Sequence, residues 1–166
     1  MLLGVGLFAA AQHARAEDAP VSRTVGGHVG AALPILTIAS PDNTFIGQDF
    51  VTVGVTPGIT VHLDEHWSVD FEFIAFNKWM NGTTLTTFVV DPGVVYSFGS
   101  VSAGLRVATE VGAPRNIALV PILVKPFALG KGISYFVELD LPMFLRDNGD
   151  AMKPSLTVLF QTGFGF

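Results

Sequence analysis

The side chains with the means to do chemistry are few in this chain and widely spread. Cysteine is absent, which excludes a disulfide scaffold, a thiolate metal site and a lipid-modified amino-terminal Cys. The histidines are His13, His28, His62 and His66. None has the i, i+2 partners of a defined ligand set, so no metal and no cofactor are expected. Ser68 falls opposite His62 across a short turn, in outline a nucleophile beside a base. A hydrolase needs a third group that orients the base, and only Asp64 and Glu65 are near, in the turn itself. The pair reads as polar lining, and no catalytic residues are expected. Asp147-Asn148-Gly149-Asp150 lacks the spacing and the distal Glu of a calcium loop and reads as a turn. What remains is a set of charges on alternating positions, Glu72, Asp91, Arg106, Lys125, Glu138 and Asp140, whose meaning depends on the elements that carry them.

Those elements alternate with a period of two, the signature of strands with two unlike faces. Eight segments show it: Thr24 to Ile38, Phe50 to Leu63, Trp67 to Met80, Leu85 to Phe98, Val101 to Val111, Ile117 to Leu129, Ile133 to Leu145 and Pro154 to Phe166. In the second, Val51, Val53, Val55, Ile59, Val61 and Leu63 alternate with Thr52, Gly54, Thr56, Gly58, Thr60 and His62. In the third, Trp67, Val69, Phe71, Phe73, Ala75 and Trp79 oppose Ser68, Asp70, Glu72 and Lys78. The sixth is apolar on both faces, and only Lys125 suggests which side is polar. Asp64-Glu65-His66, Gly99-Ser100 and Gly130-Lys131-Gly132 are tight connections of the hairpin kind. Ala39 to Asp49, Asn81 to Thr84, Ala113 to Asn116 and Arg146 to Lys153 are on average longer.

Composition fits an apolar barrel of one domain. The 166 residues are 49% hydrophobic and only 14% charged, with a mean hydropathy of +0.51, yet no stretch supplies the roughly 20 apolar residues of a transmembrane helix. A formal charge of −5 with scattered Lys and Arg argues against nucleic-acid binding. Leu2 to Ala11 with Ala14-Arg15-Ala16 has the form of an export signal and its cleavage site. Residues 1–16 are therefore expected to be a signal peptide and 17–166 the barrel. With no basic residue between Met1 and the apolar stretch, the signal is expected to start upstream.

Alternation does not fix which face points outward, because a lipocalin-like soluble barrel puts its apolar face inside. Two features favour the opposite arrangement. The polar face is mostly Gly, Ser, Thr and Ala, whereas a solvated exterior is roughly a quarter to a third charged. Trp67 and Trp79 share the apolar face twelve residues apart, which at about 3.3 Å per residue and about 40° of tilt is about 30 Å along the axis, the spacing of two aromatic girdles.

Eight strands, an export signal, short turns at one end and the terminal run Phe160-Gln161-Thr162-Gly163-Phe164-Gly165-Phe166 resemble the small outer-membrane β-barrel proteins, such as the OmpX-like, OmpW-like and OmpA transmembrane-domain proteins. The resemblance implies an all-β, eight-stranded antiparallel up-and-down transmembrane β-barrel in the outer membrane, both mature termini on the periplasmic side. It also implies that Phe166 on its alternating strand is read by the barrel assembly machinery. Trp67, Trp79, Phe164 and Phe166 are then the aromatics at the membrane interfaces, with outer-membrane lipid as the surrounding partner and a monomer as the expected state. Comparatively short loops and the lack of a following peptidoglycan-binding domain argue against adhesion and wall anchoring.

Hairpin register extends the map of the polar face. With the turns as read, Glu72 aligns with Gly93 and Gly93 with Arg106, two strands and about 9.6 Å apart. The missing side chain of Gly93 leaves Arg106 room to reach across. Gly104 then aligns with Lys125, and a bulged turn at Gly130 to Gly132 aligns Lys125 with Glu138, giving a lumen network of Glu72, Asp91, Arg106, Lys125, Glu138 and Asp140. Charges removed from water must be paired, and an eight-stranded interior is just wide enough for side chains. The expected role is structural or that of a passive small-solute pore. The alternative is a soluble periplasmic or secreted lipocalin-like ligand-binding barrel with the faces inverted.

Overall fold

A computed structural model describes residues 24–41, 43–48, 51–80, 82–147, 149 and 151–166; the expected signal peptide, with residues 17–23, lies outside the described residues, as do Asn148 and Asp150. The β-branched and aromatic runs form long strands: β1 (Thr24–Ala39), the two-residue β2 (Thr44–Phe45), β3 (Val51–His62), β4 (Trp67–Met80), β5 (Thr83–Ser97), β6 (Ser102–Glu110), β7 (Ala113–Gly130), β8 (Ile133–Asp140), β9 (Met143–Asp147) and β10 (Met152–Gly165). Sequence neighbours pair antiparallel, and β1 also pairs with β10, so the sheet closes on itself. β8 and β9 are one stave. Both pair with β10 in one register, and with β7 in one register from Ile117 to Ala128, and they part at Leu141-Pro142 because Pro142 has no N–H to give the ladder. With β2 a side piece on β1, the ring has eight staves, the expected up-and-down barrel.

One rim holds the turns at 63–66, 98–101 and 131–132 together with Phe166, and we call it the terminal rim. The strand ends at Ala39, Val51, Met80, Thr83, Glu110, Ala113, Asp147 and Met152 mark the opposite rim. Two connections there are tighter than expected. Met80 pairs with Thr83, and Glu110 with Ala113, leaving two residues for each turn, with Gly82 and Gly112 at φ 75° and 86°. Glycine reaches that left-handed region without a Cβ penalty.

The faces segregate inversely to a water-soluble protein. Val55, Ile59, Phe71, Leu105, Leu119, Leu123 and Leu139 are exposed on the outside, whereas Glu72, Asp91, Arg106, Glu138 and Asp140 are buried inside. A lipocalin-like arrangement, with the apolar face inward, is thereby overturned.

Candidate functional site

The lumen is stacked in three layers from one rim to the other. Nearest the opposite rim, Ile74, Val89, Ala108, Ala118, Val120, Ile122 and Phe144 form a buried apolar cluster, with Phe76, Val95 and Val124 packed against it. Its edge toward β3 is closed by the Phe76 ring, which lies where a Cβ on Gly54 would sit. These side chains project inward because β7 turns its Ala118, Val120, Ile122 row to the lumen, the face that sequence alone left unassigned.

Below this layer lies the charge cluster. Arg106 Nη2 donates to Asp70 Oδ2 at 2.7 Å, and Nη1 donates to Glu72 Oε2 and to Glu138 Oε1, each at 2.9 Å. Glu72 is fully buried and Arg106 is 3% exposed. Gln161, also fully buried, donates Nε2 to Glu72 Oε1 at 2.5 Å, and His28 Nε2 lies 3.1 Å from that same oxygen. Thr60 donates to Asp70 Oδ1 at 2.6 Å. Asp140 is buried two residues on from Glu138 along β8. Asp91 sits opposite Glu72 on the neighbouring stave. Five carboxylates thus surround one guanidinium, with one imidazole at the edge.

Of the expected network, Glu72, Asp91, Arg106, Glu138 and Asp140 are brought together. Lys125 is not, and its expected place is corrected. A bulge between Ala128 and Gly130 shifts the β7–β8 register by one residue, pairing Lys125 with Val137 and Val124 with Glu138. A one-residue slip turns a side chain to the other face. Lys125 therefore lies on the outside, where its Nζ reaches down to donate to the Ser100 carbonyl at 2.7 Å and passes 5.8 Å from the Phe127 ring. Gly93 does align with Arg106, and a Cβ there would meet Arg106 itself and the Leu105 carbonyl. Glu72 aligns with Asp91 instead, because the pairing of Met80 with Thr83 brings Asp70, not Glu72, opposite Gly93. Asp70, His28 and Gln161 are the members that sequence reasoning missed. The Asn81-Gly82 dipeptide, a strong two-residue hairpin signal, would have put Asp70 in the Arg106 row.

The third layer is a cavity of about 440 Å³ open at the terminal rim. His28, Asp70, Arg106 and Glu138 form its floor, Thr60, Ser102 and Ser134 line its wall, and Ile122, Val95 and Val124 extend the apolar cluster down to it. At the mouth His62 Nδ1 and Ser68 Oγ are 2.9 Å apart, as the hairpin register requires, and no carboxylate contact to the other ring nitrogen is found among the described residues. In the adjoining turn, Asp64 Oδ1 accepts the His66 and Trp67 N–H groups at 2.7 Å each. The Trp67 amide and then the His66 amide hold the Asp64 carboxyl below its usual range. No group of three or more His, Asp or Glu side chains suited to a metal ion occurs among the described residues.

Outside, Trp67 and Trp79 are 46% and 47% exposed, and Phe164 and Phe166 are exposed as well. Trp67 packs edge-on to Tyr96 at 4.9 Å, Tyr96 to Phe98 at 4.8 Å, and Tyr135 to Phe164 at 5.7 Å. This collar of rings rides on the terminal rim. On β7 the outward row carries no charge between Arg115 and Lys125.

No known protein-family model matches the chain, and no curated protein does. Solved structures similar to it include three outer-membrane or designed transmembrane barrels. The outer membrane protein OprG from Pseudomonas aeruginosa is 11% identical, covering 86% of this chain and 93% of its own with a TM-score of 0.45. Ail, the attachment invasion locus protein of Yersinia pestis, is 12% identical over 87% of this chain and 97% of its own, with a TM-score of 0.48. The de novo designed TMB2.3 is 15% identical over 87% and 94%, at 0.42.

Proposed function

We propose that the chain is an integral outer-membrane β-barrel whose role is structural, with a lumen closed to solutes from end to end. The observation that carries the membrane reading is the inverted burial: large apolar side chains cover the outside while the charges are inside. Arg115 and Lys125 lie ten positions apart on β7, which at about 3.3 Å per residue and about 40° of tilt is about 25 Å, the height of the apolar band of such barrels. Lys125 lying along the wall with its ammonium at the rim is the posture of a snorkelling side chain. The aromatic collar supports an interface at the terminal rim, which we assign to the periplasm. Phe166 and the β10 strand are the segment proposed to engage the barrel assembly machinery.

The apolar cluster across the lumen supports closure. Ions do not cross a dry layer of Ile, Val and Phe side chains without a solvation cost of many kcal/mol. Refolded protein should migrate faster unheated than boiled on a gel and resist carbonate extraction. In planar bilayers it should show no steady conductance, and Ile122→Gly with Phe144→Ala should open one. Extraction as a soluble protein would sink the membrane reading, and steady conductance of the unaltered barrel would sink closure.

A further inference from the structure

The cavity at the terminal rim ends blindly on a surface that has negative charge and acceptors in excess. Asp70, Glu72 and Glu138 share the single guanidinium of Arg106, which leaves a net charge of −2 before Asp91, Asp140 or His28 is counted. The second observation is independent of charge: above that floor the wall carries the hydroxyls of Thr60, Ser102 and Ser134, which accept as well as donate. Gln161 Oε1, Asp91 Oδ1, Asp140 Oδ1, Thr56 Oγ1, Ser155 Oγ and Arg106 Nε are buried without a hydrogen-bond partner, and of these residues only Arg106 lines the cavity. Such a site is complementary to a group that brings positive charge and several N–H donors together.

We propose that this vestibule binds a small organic cation, an alkylammonium or guanidinium compound, with its charged head on Asp70 and Glu138. The volume of about 440 Å³ falls in the usual range for small-molecule sites, about 300–1,000 Å³. Hydroxyls of Thr60, Ser102 and Ser134 on the wall accept from further N–H groups or a second ammonium. Asp64 and Glu65 stand at the mouth, where they favour the approach of cations. The imidazoles of His28, His62 and His66 also face the cavity. The site rests on the closed lumen, not on what surrounds the barrel, so its test separates from that of the membrane reading.

The test is calorimetric titration of the refolded full chain in zwitterionic micelles with 1,4-diaminobutane, 1,4-butanediol and glutarate. The diamine is expected to bind saturably at one site, the diol and the dianion not at all. Asp70→Asn is expected to weaken the diamine at least tenfold. Ser134→Phe, which fills the vestibule without touching the charge cluster, should abolish binding, and Ser102→Phe does the same from another strand. Heat-modifiable migration of each sample reports folding separately. No saturable binding of the diamine, equal binding of the diol or glutarate, or unchanged affinity in a folded Ser134→Phe or Ser102→Phe barrel would overturn the proposal.

Discussion

Arg106 is the counter-ion for three buried carboxylates at once, so its removal strands all of them. Breaking a buried ion pair by deleting one partner costs about 3–5 kcal/mol. Arg106→Ala is expected to lose at least that much in urea unfolding from micelles, with Arg106→Lys intermediate, because one ammonium does not reproduce the forked contacts to Asp70 and to the Glu72 and Glu138 pair. A loss below about 1 kcal/mol for the alanine variant would mean the cluster is not a structural unit. At the rim, the lowered Asp64 carboxyl makes a different, smaller contribution. Since its folded value is depressed, the stabilisation is present above the ordinary carboxylate range and is lost as pH falls through the lowered value. Amide exchange at His66 and Trp67 should quicken in that acid window, and Asp64→Ala should show the fast exchange at neutral pH. Exchange in Asp64→Ala that matches the unaltered turn would remove Asp64 from this role.

Within the strands, the faces were legible and the registers only in part: Gly93 lies opposite Arg106 and His62 opposite Ser68 as expected, but others differ. Alternation in β3 and β4 assigned Val55, Ile59, Phe71 and Trp67 to one side and Glu72 and Thr56 to the other, since side chains of a pleated strand point alternately. Register depends on turn length and bulges, which leave a fainter mark. Reading Asn81 to Thr84 as a loop displaced β5 by two residues and hid Asp70. The bulge between Ala128 and Gly130, invisible in a β7 apolar on both faces, displaced Lys125 to the outside. The inward Ala118, Val120, Ile122 row was hidden for the same reason. With the faces fixed, substitution effects become depth-dependent. Leu119→Arg, near the middle of the outward β7 row, is expected to cost about 2–4 kcal/mol in vesicle unfolding, whereas Phe127→Arg near the rim should cost about 0–1 kcal/mol; equal costs would contradict the assigned band. Phe166 exchanges two backbone hydrogen bonds with Gly27, at 2.7 and 2.9 Å, so its deletion removes the last rung joining β10 to β1. Insertion of that variant at the normal rate would count against its role in closure.

Taken whole, the molecule is a ring whose inside is fastened by one guanidinium and whose outer band is apolar, with Arg115 and Lys125 at its margins on β7. An antiparallel sheet with exposed edges must cover them, and closure through β1 and β10 removes both. With no helix among the described residues long and apolar enough to cross a membrane, any crossing is made by strands. Everything proposed for location follows from the outward face being a lipid-facing face, and β4 tests that most directly because both of its rows are unambiguous. Nitroxides placed singly at residues 69 to 76 of the barrel in lipid vesicles report collisions with oxygen, which concentrates in the bilayer, and with a water-soluble nickel complex. The expected result is high oxygen and low nickel accessibility at 69, 71, 73 and 75, with low oxygen accessibility at 70, 72, 74 and 76. Oxygen accessibility in the opposite phase, or high nickel accessibility at 71 and 73, would contradict the account.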